Sequence, residues 1–418
     1  MNILYVLHQF YPYHHTGTEK ITYQIASMQR LHGDKVMVVA NEPSYDGIYH
    51  SGHGEAHGLL EMGDVVYKKQ LYKGLDVINY QYKEHIAYPH SDMDIPYGQA
   101  FVQSIIDSFK PDIMHICHPM RISPFVDAAV RNGIPYVITL TDFWMVCLRG
   151  VLLHHGTVIC KKIPNAVFCR ECSGYPEDKF EKRKVDGLNI LYRAKRLFAP
   201  SKFLAEMMEG FIDGVKIHVM NHGMDYSGVS FIEKKYSAGQ TTELVLGSAG
   251  LLMHHKGVHV LINALREIPD VPVRLKIYGS GDKDYIEKLK RIADYRVEFM
   301  GVYNADNISK VFSEFDIFMV PSIWYETYVM VMHEAFIHGI PVIGTNIGAM
   351  AEKIKHGVNG YTFPPEDYKA LAEIIRNISE NPEILNDLKV NVRRMLLPTI
   401  AQEAYEYHNH YVDIVYDR

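Results

Sequence analysis

The chain has 418 residues, more than a single hydrophobic core usually serves, so two or three domains are expected. Its apolar share of 47% and charged share of 22% are ordinary for a soluble globular protein. The formal net charge of −6 does not indicate a positively charged surface, and binding to nucleic acid is therefore not expected.

The first residues, "MNILYVLHQFYP", predict a β-strand rather than a signal peptide. They lack a basic segment and a cleavage site of small residues, and the apolar run is too short. No run of about eighteen apolar residues suggests a membrane span. These features predict a cytoplasmic protein, in which the five cysteines are typically thiols or metal ligands rather than disulfides.

Short apolar strands alternate with helical patterns along the chain, which predicts an α/β fold with parallel sheets covered on both faces. The pattern runs from a strand at 2–8 to one at 136–142, and it restarts with the strand "LVLGSAG". We therefore predict two doubly wound, Rossmann-like domains, 1–215 and 216–397, that face each other across a cleft. A C-terminal helix over 398–418 is expected to pack back on the first domain.

Residues 45–96 are the least regular part of the first domain and are rich in His, Tyr and Gly. His50, His53 and His57 form only a weak pattern for a metal cluster. Histidines accumulate readily in polar loops, so a solvated loop is the favoured interpretation.

Four cysteines, Cys147, Cys160, Cys169 and Cys172, lie within one insert, 147–172. A Cys-x2-Cys knuckle with two further thiols has the ligand number of a tetrahedral zinc site. We favour structural zinc over free thiols, and free thiols over disulfides. The fifth cysteine lies in a predicted strand and is interpreted as a core thiol.

Residues 179–196, "KFEKRKVDGLNILYRAKR", carry more basic than acidic residues. The interleaved apolar residues are compatible with a helix on a membrane surface, which would suit a lipid-linked acceptor. An ordinary amphipathic helix with a solvated basic face is the favoured interpretation.

The stretch "MVPSIWYETYVMVMHEAFIHGIPVIGT" predicts a strand that ends at Pro321 and a helix from near Val329 to Gly339. Glu326 then lies at the helix N-terminus, where backbone N–H groups suit an anion such as a diphosphate. Glu334 lies further into the helix, where a buried carboxylate can accept hydrogen bonds from the two hydroxyls of a ribose. The alternative is a helix-start acid and a surface residue.

This stretch resembles the retaining glycosyltransferases of family 4, whose GT-B fold consists of two facing Rossmann-like domains. The family pattern is a Glu, seven residues, a second Glu and a small residue, followed by Gly-x-Pro-Val and Gly. The chain matches it at Glu326, Glu334, Ala335, Gly339, Pro341, Val342 and Gly344. Further family motifs match at Gly348, Glu352, Gly357, Asn359 and Gly360. The resemblance covers essentially the whole chain.

The loop "HTGTEK" is similar to the family's Gly-Gly-x-Glu motif, in which loop amides approach the donor phosphate and the acceptor. Gly17 and Glu19 match, while Thr16 replaces the first glycine. The resemblance implies a donor contact for Gly17 and an acceptor-side position for Thr18.

"GSAGLLMHHKGVHVLINAL" is similar to the family's donor segment, which carries an Arg, four residues and then Lys-Gly. Lys256 and Gly257 match, but Leu251 stands at the Arg position. Lys256 is expected to act as a point charge on the diphosphate.

"TLTDFWMVCLRG" departs from the family, because many relatives have His-Asp-Tyr-Trp where this chain has Thr141 before Asp142. Threonine donates and accepts hydrogen bonds but does not titrate as a base. We expect Thr141 on the acceptor side and Asp142 in the catalytic role of the missing histidine. In enzymes of this kind the leaving phosphate itself is thought to take the acceptor proton.

The resemblance implies a retaining, metal-independent transfer from a nucleotide-diphosphate sugar, with Glu326, Asp142 and Lys256 as catalytic residues. The diphosphate is expected against Lys256 and the amides near Tyr328 and Val329, the ribose on Glu334 and the sugar on Glu326. Val329 replaces a glycine that is usual in the family and is expected to narrow the donor-sugar pocket.

The acceptor is expected to be a glycan or a lipid-linked molecule, in the synthesis of surface polysaccharide or glycoconjugate. Two alternatives remain open, a nucleotide-sugar epimerase of the same fold and a catalytically silent protein that binds nucleotide sugars. No catalytic cofactor is expected, and zinc is a structural expectation only. Peripheral contact with the inner face of the membrane is a further expectation.

Overall fold

The computed structural model describes residues 1–14, 16–42, 58–84, 86–160, 164–229, 231, 234–239, 243–303 and 307–416. His50, His53 and His57 lie outside these residues. The chain divides into two compact units. The first consists of Met1–His155, Cys160–Gly223 and Pro398–Arg418, and the second of Gly156–Ile159 and Met224–Leu397. The division after Gly223 falls slightly beyond residue 215, where the sequence pattern changes.

The first unit is built on a largely parallel sheet. Its strands are β1 (Asn2–Leu7), β2 (Lys35–Asn41), β3 (Leu59–Met62), β4 (Val65–Tyr72), β5 (Leu75–Tyr82), β6 (Ile113–Ile116), β7 (Tyr136–Thr139), β10 (Arg196–Ala199) and β11 (Ile217–Val219). Strands β8 (Leu153–His154) and β9 (Val158–Ile159) form a separate two-stranded sheet. The strand order is β11-β10-β7-β6-β1-β2-β5-β4-β3. β1 pairs in parallel with both β2 and β6, whereas β3 and β4 are antiparallel additions at one edge.

The chain adds β2 on one side of β1 and later adds β6 on the other side. The topological switch point of this sheet therefore lies between β1 and β6. Sheets of this type bind ligands beyond the carboxyl ends of their strands, at the switch point. The residues that follow β1 and β6 therefore lie at the expected ligand-binding edge, beside those that follow the neighbouring strand β7.

The helices of the first unit include α1, whose apolar residues Ile21 and Ile25 are buried. They are α1 (Gly17–Leu31), α2 (Gln99–Phe109), α3 (Ser123–Arg131), α4 (Ala166–Ser173), α5 (Glu177–Arg193) and α6 (Lys202–Phe211). Helix α1 begins with a capping arrangement, in which the Thr16 backbone N–H and hydroxyl donate to the Glu19 carboxylate at 2.5 and 2.6 Å. The start of α1 thus carries its own negative charge.

The second unit contains a fully parallel sheet. Its strands are β12 (Leu244–Ala249), β13 (Val273–Tyr278), β14 (Val297–Gly301), β15 (Ile317–Val320), β16 (Val342–Thr345) and β17 (Gly360–Phe363), in the order β14-β13-β12-β15-β16-β17. Along β15, Ile317 and Met319 belong to one core cluster, and Phe318 and Val320 belong to another. Both faces of this sheet are therefore covered, as the apolar strands predict.

The helices of this unit follow a short 3₁₀ turn at His254–Lys256. They are α7 (Val258–Glu267), α8 (Lys283–Ile292), α9 (Ile308–Phe312), α10 (Met330–Ile337), α11 (Gly348–Lys353), α12 (Tyr368–Glu380) and α13 (Ile384–Arg393). Within the described residues of the whole chain, no helix combines the length and the apolar character needed to cross a membrane.

The last helix, α14 (Ile400–Tyr416), belongs to the first unit. The buried Tyr411 hydroxyl lies 2.5 Å from His115 Nδ1. Near the start of α14, the Glu403 carboxylate accepts the Gly223 backbone N–H at 2.7 Å and pairs with His222 Nδ1 at 2.8 Å. These buried polar contacts fix the end of the chain on the first unit.

We predict that Gly223→Ala destabilises the first unit. A Cβ atom at this position would lie 2.4 Å from the Thr399 carbonyl oxygen and 2.5 Å from the backbone of Ile400, and neither can move as a side chain would. The free energy of unfolding should fall by roughly 1–3 kcal/mol, the usual cost of overpacking. Chemical denaturation measures this, with Gly210→Ala in α6 as the matched control, because no atom lies within 4 Å there. Equal stability of the two variants would contradict the packing of α14.

Candidate active site

In the second unit, the loops that follow β12 and β15 meet at the switch point of the sheet. Gly257 has a φ of +73°, and a Cβ atom there would lie 2.0 Å from the Pro321 carbonyl oxygen. The backbone N–H of Ile323 donates to the His255 carbonyl at 2.9 Å. Glycine is therefore required for the close approach of these two loops. Their contact brings together residues that are far apart in the sequence.

Glu326 and Lys256 form a direct ion pair at this contact. The buried carboxylate of Glu326 accepts from Lys256 Nζ at 2.8 Å and from Ser322 Oγ at 2.6 Å. The Lys256 ammonium also lies 4.8 Å from the centre of the Trp324 ring. Burial tends to raise the pKa of Glu326, but the charge and hydrogen bond of Lys256 and the hydrogen bond from Ser322 hold it below its usual value. Glu326 is thus an ionised, fixed acceptor.

Glu334 lies on α10, which begins after Val329 and ends before Gly339, as the sequence predicts. Glu334 is only 7% exposed, so the alternative interpretation of this glutamate as a surface residue is wrong. The ring of Tyr328 stacks on His333 at 4.1 Å between centroids and shapes the first turn of the helix. Two buried carboxylates therefore flank this turn, one before it and one within the helix.

The first residues of α11 contact the backbone of Glu326. The Ala349 backbone N–H donates to the Glu326 carbonyl at 2.9 Å. Gly348 has a φ of +62°, and a Cβ atom there would come within 2.9 Å of the Glu326 backbone. The segment that resembles the family's glycine motif thus has a packing role beside the first glutamate. Leu251, at the position of the family's arginine, is exposed.

In the first unit, the candidate residues gather at the carboxyl ends of β1, β6 and β7. Gly17 and Thr18 open α1, and the Thr18 hydroxyl donates to the Thr141 hydroxyl at 3.4 Å. Next to Thr141, one carboxylate oxygen of Asp142 accepts the Trp144 backbone N–H at 2.8 Å, and the other lies 3.2 Å from His118 Nε2. The structure therefore brings together both residues expected on the acceptor side.

Sequence reasoning missed three side chains that hold these residues, namely His118, Ser322 and Trp324. Each follows the end of a central strand, which is a general signal for a ligand-binding edge. His118 comes directly after "DIMHIC", and Ser322 is the last residue of "FMVPS". The signal is weak without the structure, because their partners lie elsewhere in the sequence.

The four cysteines of the insert line one small cavity of about 20 Å³. The Cys172 thiol donates to the Leu153 carbonyl at 3.6 Å, and burial together with the neighbouring thiols raises the pKa of Cys160 to about 11. In the described part of the chain, no three His, Cys, Asp or Glu side chains are arranged to hold a metal ion. Cys117 is a buried thiol whose pKa burial raises to about 12, which confirms its interpretation as a core residue.

The basic segment forms α5 and the start of β10. Arg183 is buried and donates to the carbonyls of Ser91 and Trp144 at 2.7 and 2.5 Å. Lys182 pairs with Asp94 and Asp186 at 2.9 and 2.7 Å. Two of the basic residues thus serve the first unit itself, which favours the ordinary amphipathic helix over a membrane surface.

Comparison with known proteins gives matches in sequence and in fold. Residues 243–381 match the model of the family described as glycosyl transferases group 1. An uncharacterized glycosyltransferase of Methanocaldococcus jannaschii is 27% identical, with 76% of this chain and 81% of the relative aligned. A GDP-mannose-dependent alpha-mannosyltransferase of Corynebacterium glutamicum is 26% identical, with 75% and 70% aligned.

Two solved structures resemble the whole chain. The Anabaena protein HepE, in complex with UDP and glucose, has a TM-score of 0.67 at 18% identity, with 98% of this chain and 99% of that chain covered. The sucrose-phosphate synthase of Thermosynechococcus elongatus has a TM-score of 0.67 at 16% identity, with both chains fully covered. At these identities the likeness concerns the fold, and it confirms the predicted GT-B architecture.

We predict that Lys256→Met destabilises the second unit because it leaves the buried Glu326 carboxylate without its counter-ion. The free energy of unfolding should fall by roughly 2–3 kcal/mol, less than for a fully buried pair because Lys256 is partly exposed. The double variant Lys256→Met with Glu326→Gln should recover most of this loss. Urea denaturation of the wild type, Lys256→Met, Glu326→Gln and the double variant measures the coupling.

The same pair predicts a pH dependence. Because the folded-state pKa of Glu326 is lowered, its contribution to stability is complete above the ordinary glutamate value of 4.5 and is lost as the pH falls below it. Stability of the wild type relative to Glu326→Gln should therefore decline below about pH 4.5. A pH-independent difference would contradict an ionised Glu326.

Proposed function

We propose that this chain, a group 1 glycosyltransferase with the GT-B fold, moves a sugar from a nucleotide-diphosphate sugar to a glycan or lipid-linked acceptor with retention of anomeric configuration. The observation that carries the proposal is the Lys256–Glu326 ion pair at the switch point of the second sheet, with buried Glu334 on the adjoining helix. A cation, an anion and a helix start at one sheet edge suit a donor with a diphosphate, a sugar and a ribose.

Each part of the donor has a proposed partner in the second unit. Lys256 and the backbone N–H groups near Tyr328 and Val329 would bind the diphosphate, and Glu334 would accept hydrogen bonds from the ribose. Glu326 would orient the sugar. The Anabaena HepE structures contain UDP with glucose and, in another crystal, UDP-glucose, which supports this class of donor.

The proposed catalysis is electrostatic. As the bond to the sugar breaks, negative charge develops on the leaving diphosphate, and Lys256 with the start of α10 stabilises that charge without a metal ion. The diphosphate and Glu326 would then share Lys256, because the ammonium already donates to the Glu326 carboxylate. In the first unit, Thr18, Thr141 and Asp142 are proposed to contact the acceptor, in the cytoplasmic synthesis of a surface polysaccharide or glycoconjugate.

The two alternatives differ from this proposal in their products. An epimerase would release a new sugar without an acceptor, and a silent binding protein would bind the donor without turnover. The pair of buried carboxylates spaced as in the family favours transfer over both.

We predict that Glu334→Gln weakens donor binding about tenfold or more, because the ribose hydroxyls lose a charged acceptor. Uridine, guanosine and adenosine diphosphate sugars are first screened by the rise in melting temperature, and calorimetry then gives the Kd of the donor that binds. Glu380→Gln on α12 is the matched control, since its side chain is largely exposed. An unchanged Kd in Glu334→Gln would contradict the ribose role, and an inverted product by NMR would contradict retention.

We further propose that the four insert cysteines hold a structural zinc ion. The four cysteines line one cavity, but as placed in the structure no three of them are arranged to hold a metal ion. Zinc needs all four sulfurs at about 2.3 Å, so the thiols would have to move together and the Cys172 thiol would have to turn away from Leu153. The zinc ion would then crosslink the insert, which forms the segment between β7 and α5. The ion would take no part in transfer.

Metal analysis of the purified chain should give about one zinc per molecule. Cys169→Ser should abolish it, whereas Cys117→Ala should retain it, because Cys117 lies in the sheet core and not at the cavity. A folded, metal-free protein in which every cysteine reacts with a thiol reagent would refute the zinc site.

A further inference from the structure

Three polar side chains meet at the switch point of the first sheet, and the proposed function assigns a role to only one of them. His8 follows β1, His118 follows β6 and Asp142 follows β7. β1, β6 and β7 are neighbours in the sheet, so their carboxyl ends share one edge. The two imidazole rings lie 4.0 Å apart between centroids, directly at the switch point.

The hydrogen bonds of His118 define which of its two ring nitrogens carries the proton. Its Nδ1 accepts the backbone N–H of Met120 at 3.2 Å. A nitrogen that accepts carries no proton, so the proton of the neutral ring is on Nε2. Nε2 lies 3.2 Å from the Asp142 carboxylate and therefore donates to it. His118 thus acts as a fixed donor to one oxygen of Asp142.

The Asp142 carboxylate is held on both oxygens. The Trp144 backbone N–H binds one oxygen at 2.8 Å, and His118 binds the other. Gly150, with a φ of +72°, keeps space beside the second oxygen, since a Cβ there would lie 3.0 Å from it. The Asp142 side chain is 37% exposed and that of His118 is 4% exposed. A ligand can therefore reach the carboxylate, while the histidine lies behind it.

His8 provides an independent sign that this edge receives a ligand. Its Nδ1 is buried and has no hydrogen-bond partner among the described residues. Burial, together with the nearby His118 and Arg121, holds the pKa of His8 well below its usual value, so the ring is neutral. In a neutral ring one nitrogen donates a hydrogen bond and the other accepts one, so the unpartnered Nδ1 can bind either an acceptor or a donor. A buried polar atom of this kind is normally satisfied by water or by a bound group.

We propose that His118 is the positioning residue for Asp142, and that the carboxylate so held accepts a hydrogen bond from the attacking hydroxyl of the acceptor. The inference rests on the proposed function and adds His118 to its site. The family resemblance places the histidine of many relatives at the position of Thr141, after β7. In this chain the imidazole comes instead from His118, after the neighbouring strand β6. The hydrogen bond from the Trp144 backbone would be enough to brace the loop. The hydrogen bond from His118 holds the second carboxylate oxygen of Asp142, which bracing the loop does not require.

The test compares His118→Phe, Asp142→Asn and the double variant. Phenylalanine keeps a flat ring against His8 and Trp144 but removes both hydrogen bonds. Transfer is measured from the donor that stabilises the chain to octyl glycosides and to water. Each single change should lower kcat/KM by about tenfold or more, the scale of a hydrogen bond to a charged group. The double variant should be no worse than Asp142→Asn, because His118 acts through Asp142.

Two further variants separate positioning from folding. His118→Gln, which can still donate to Asp142, should recover part of the activity. His115→Phe, in the preceding strand β6, removes contacts with Tyr411 and Thr139 instead, so it should lower the melting temperature and leave activity per folded molecule unchanged. Losses that add in the double variant, or full activity in His118→Phe, would overturn the inference.

A readout without substrate keeps the two proposals distinguishable. Nitrogen NMR of the His118 side chain should show a protonated Nε2 and an unprotonated Nδ1, and Asp142→Asn should shift the Nε2 signal. The opposite tautomer, or no shift, would overturn the positioning role. Donor binding reports on the proposed function alone, because its proposed residues lie in the second unit, and it should be unchanged in every variant of His118.

Discussion

The parallel, fully covered sheet is the constraint on which the chemistry of this chain depends. A strand buried on both faces has no place for a polar side chain, so β15 is apolar on both sides. Functional groups can then emerge only where the strands end, and the gap at the switch point leaves room for a ligand. In the second unit the residues of interest follow β12 and β15, the two strands that border this point. In the first unit they follow the bordering strands β1 and β6 and the neighbouring strand β7.

Placing ionised groups at such an edge requires compensation. Glu326 is buried, and its charge is tolerated only because Lys256 and Ser322 bind it at 2.8 and 2.6 Å. That contact in turn requires Gly257, since any side chain would collide with the backbone after β15. A single glycine thus links backbone geometry to the electrostatics of the site.

Much of this was predictable where the information is local. The alternation of strands and helices gave the central strands of both sheets, and the Gly339-Ile340-Pro341 sequence marked the end of α10. The interpretation of 45–96 as a loop was wrong for β3, β4 and β5, which extend the first sheet at one edge. The ion pair of Glu326 was not predictable from local patterns, because its partner is 70 positions away in the chain. His118 was missed for the same reason, since its partner Asp142 follows the next strand of the sheet. The resemblance indicated which residues matter, but not which of them touch.

The two sheet edges differ in charge, and the difference suits different ligands. In the second unit Lys256 lies at the edge near the start of α10, and the proposed diphosphate would gain from both. In the first unit Glu19 already neutralises the start of α1, where its carboxylate binds the Thr16 N–H and hydroxyl. Asp142 adds a second, partly exposed carboxylate at that edge. A phosphate gains little from a helix start that an internal carboxylate has capped, whereas a neutral hydroxyl finds a fixed acceptor in Asp142. Thr16, in place of the family's first glycine, adds the hydroxyl that completes this capping of α1.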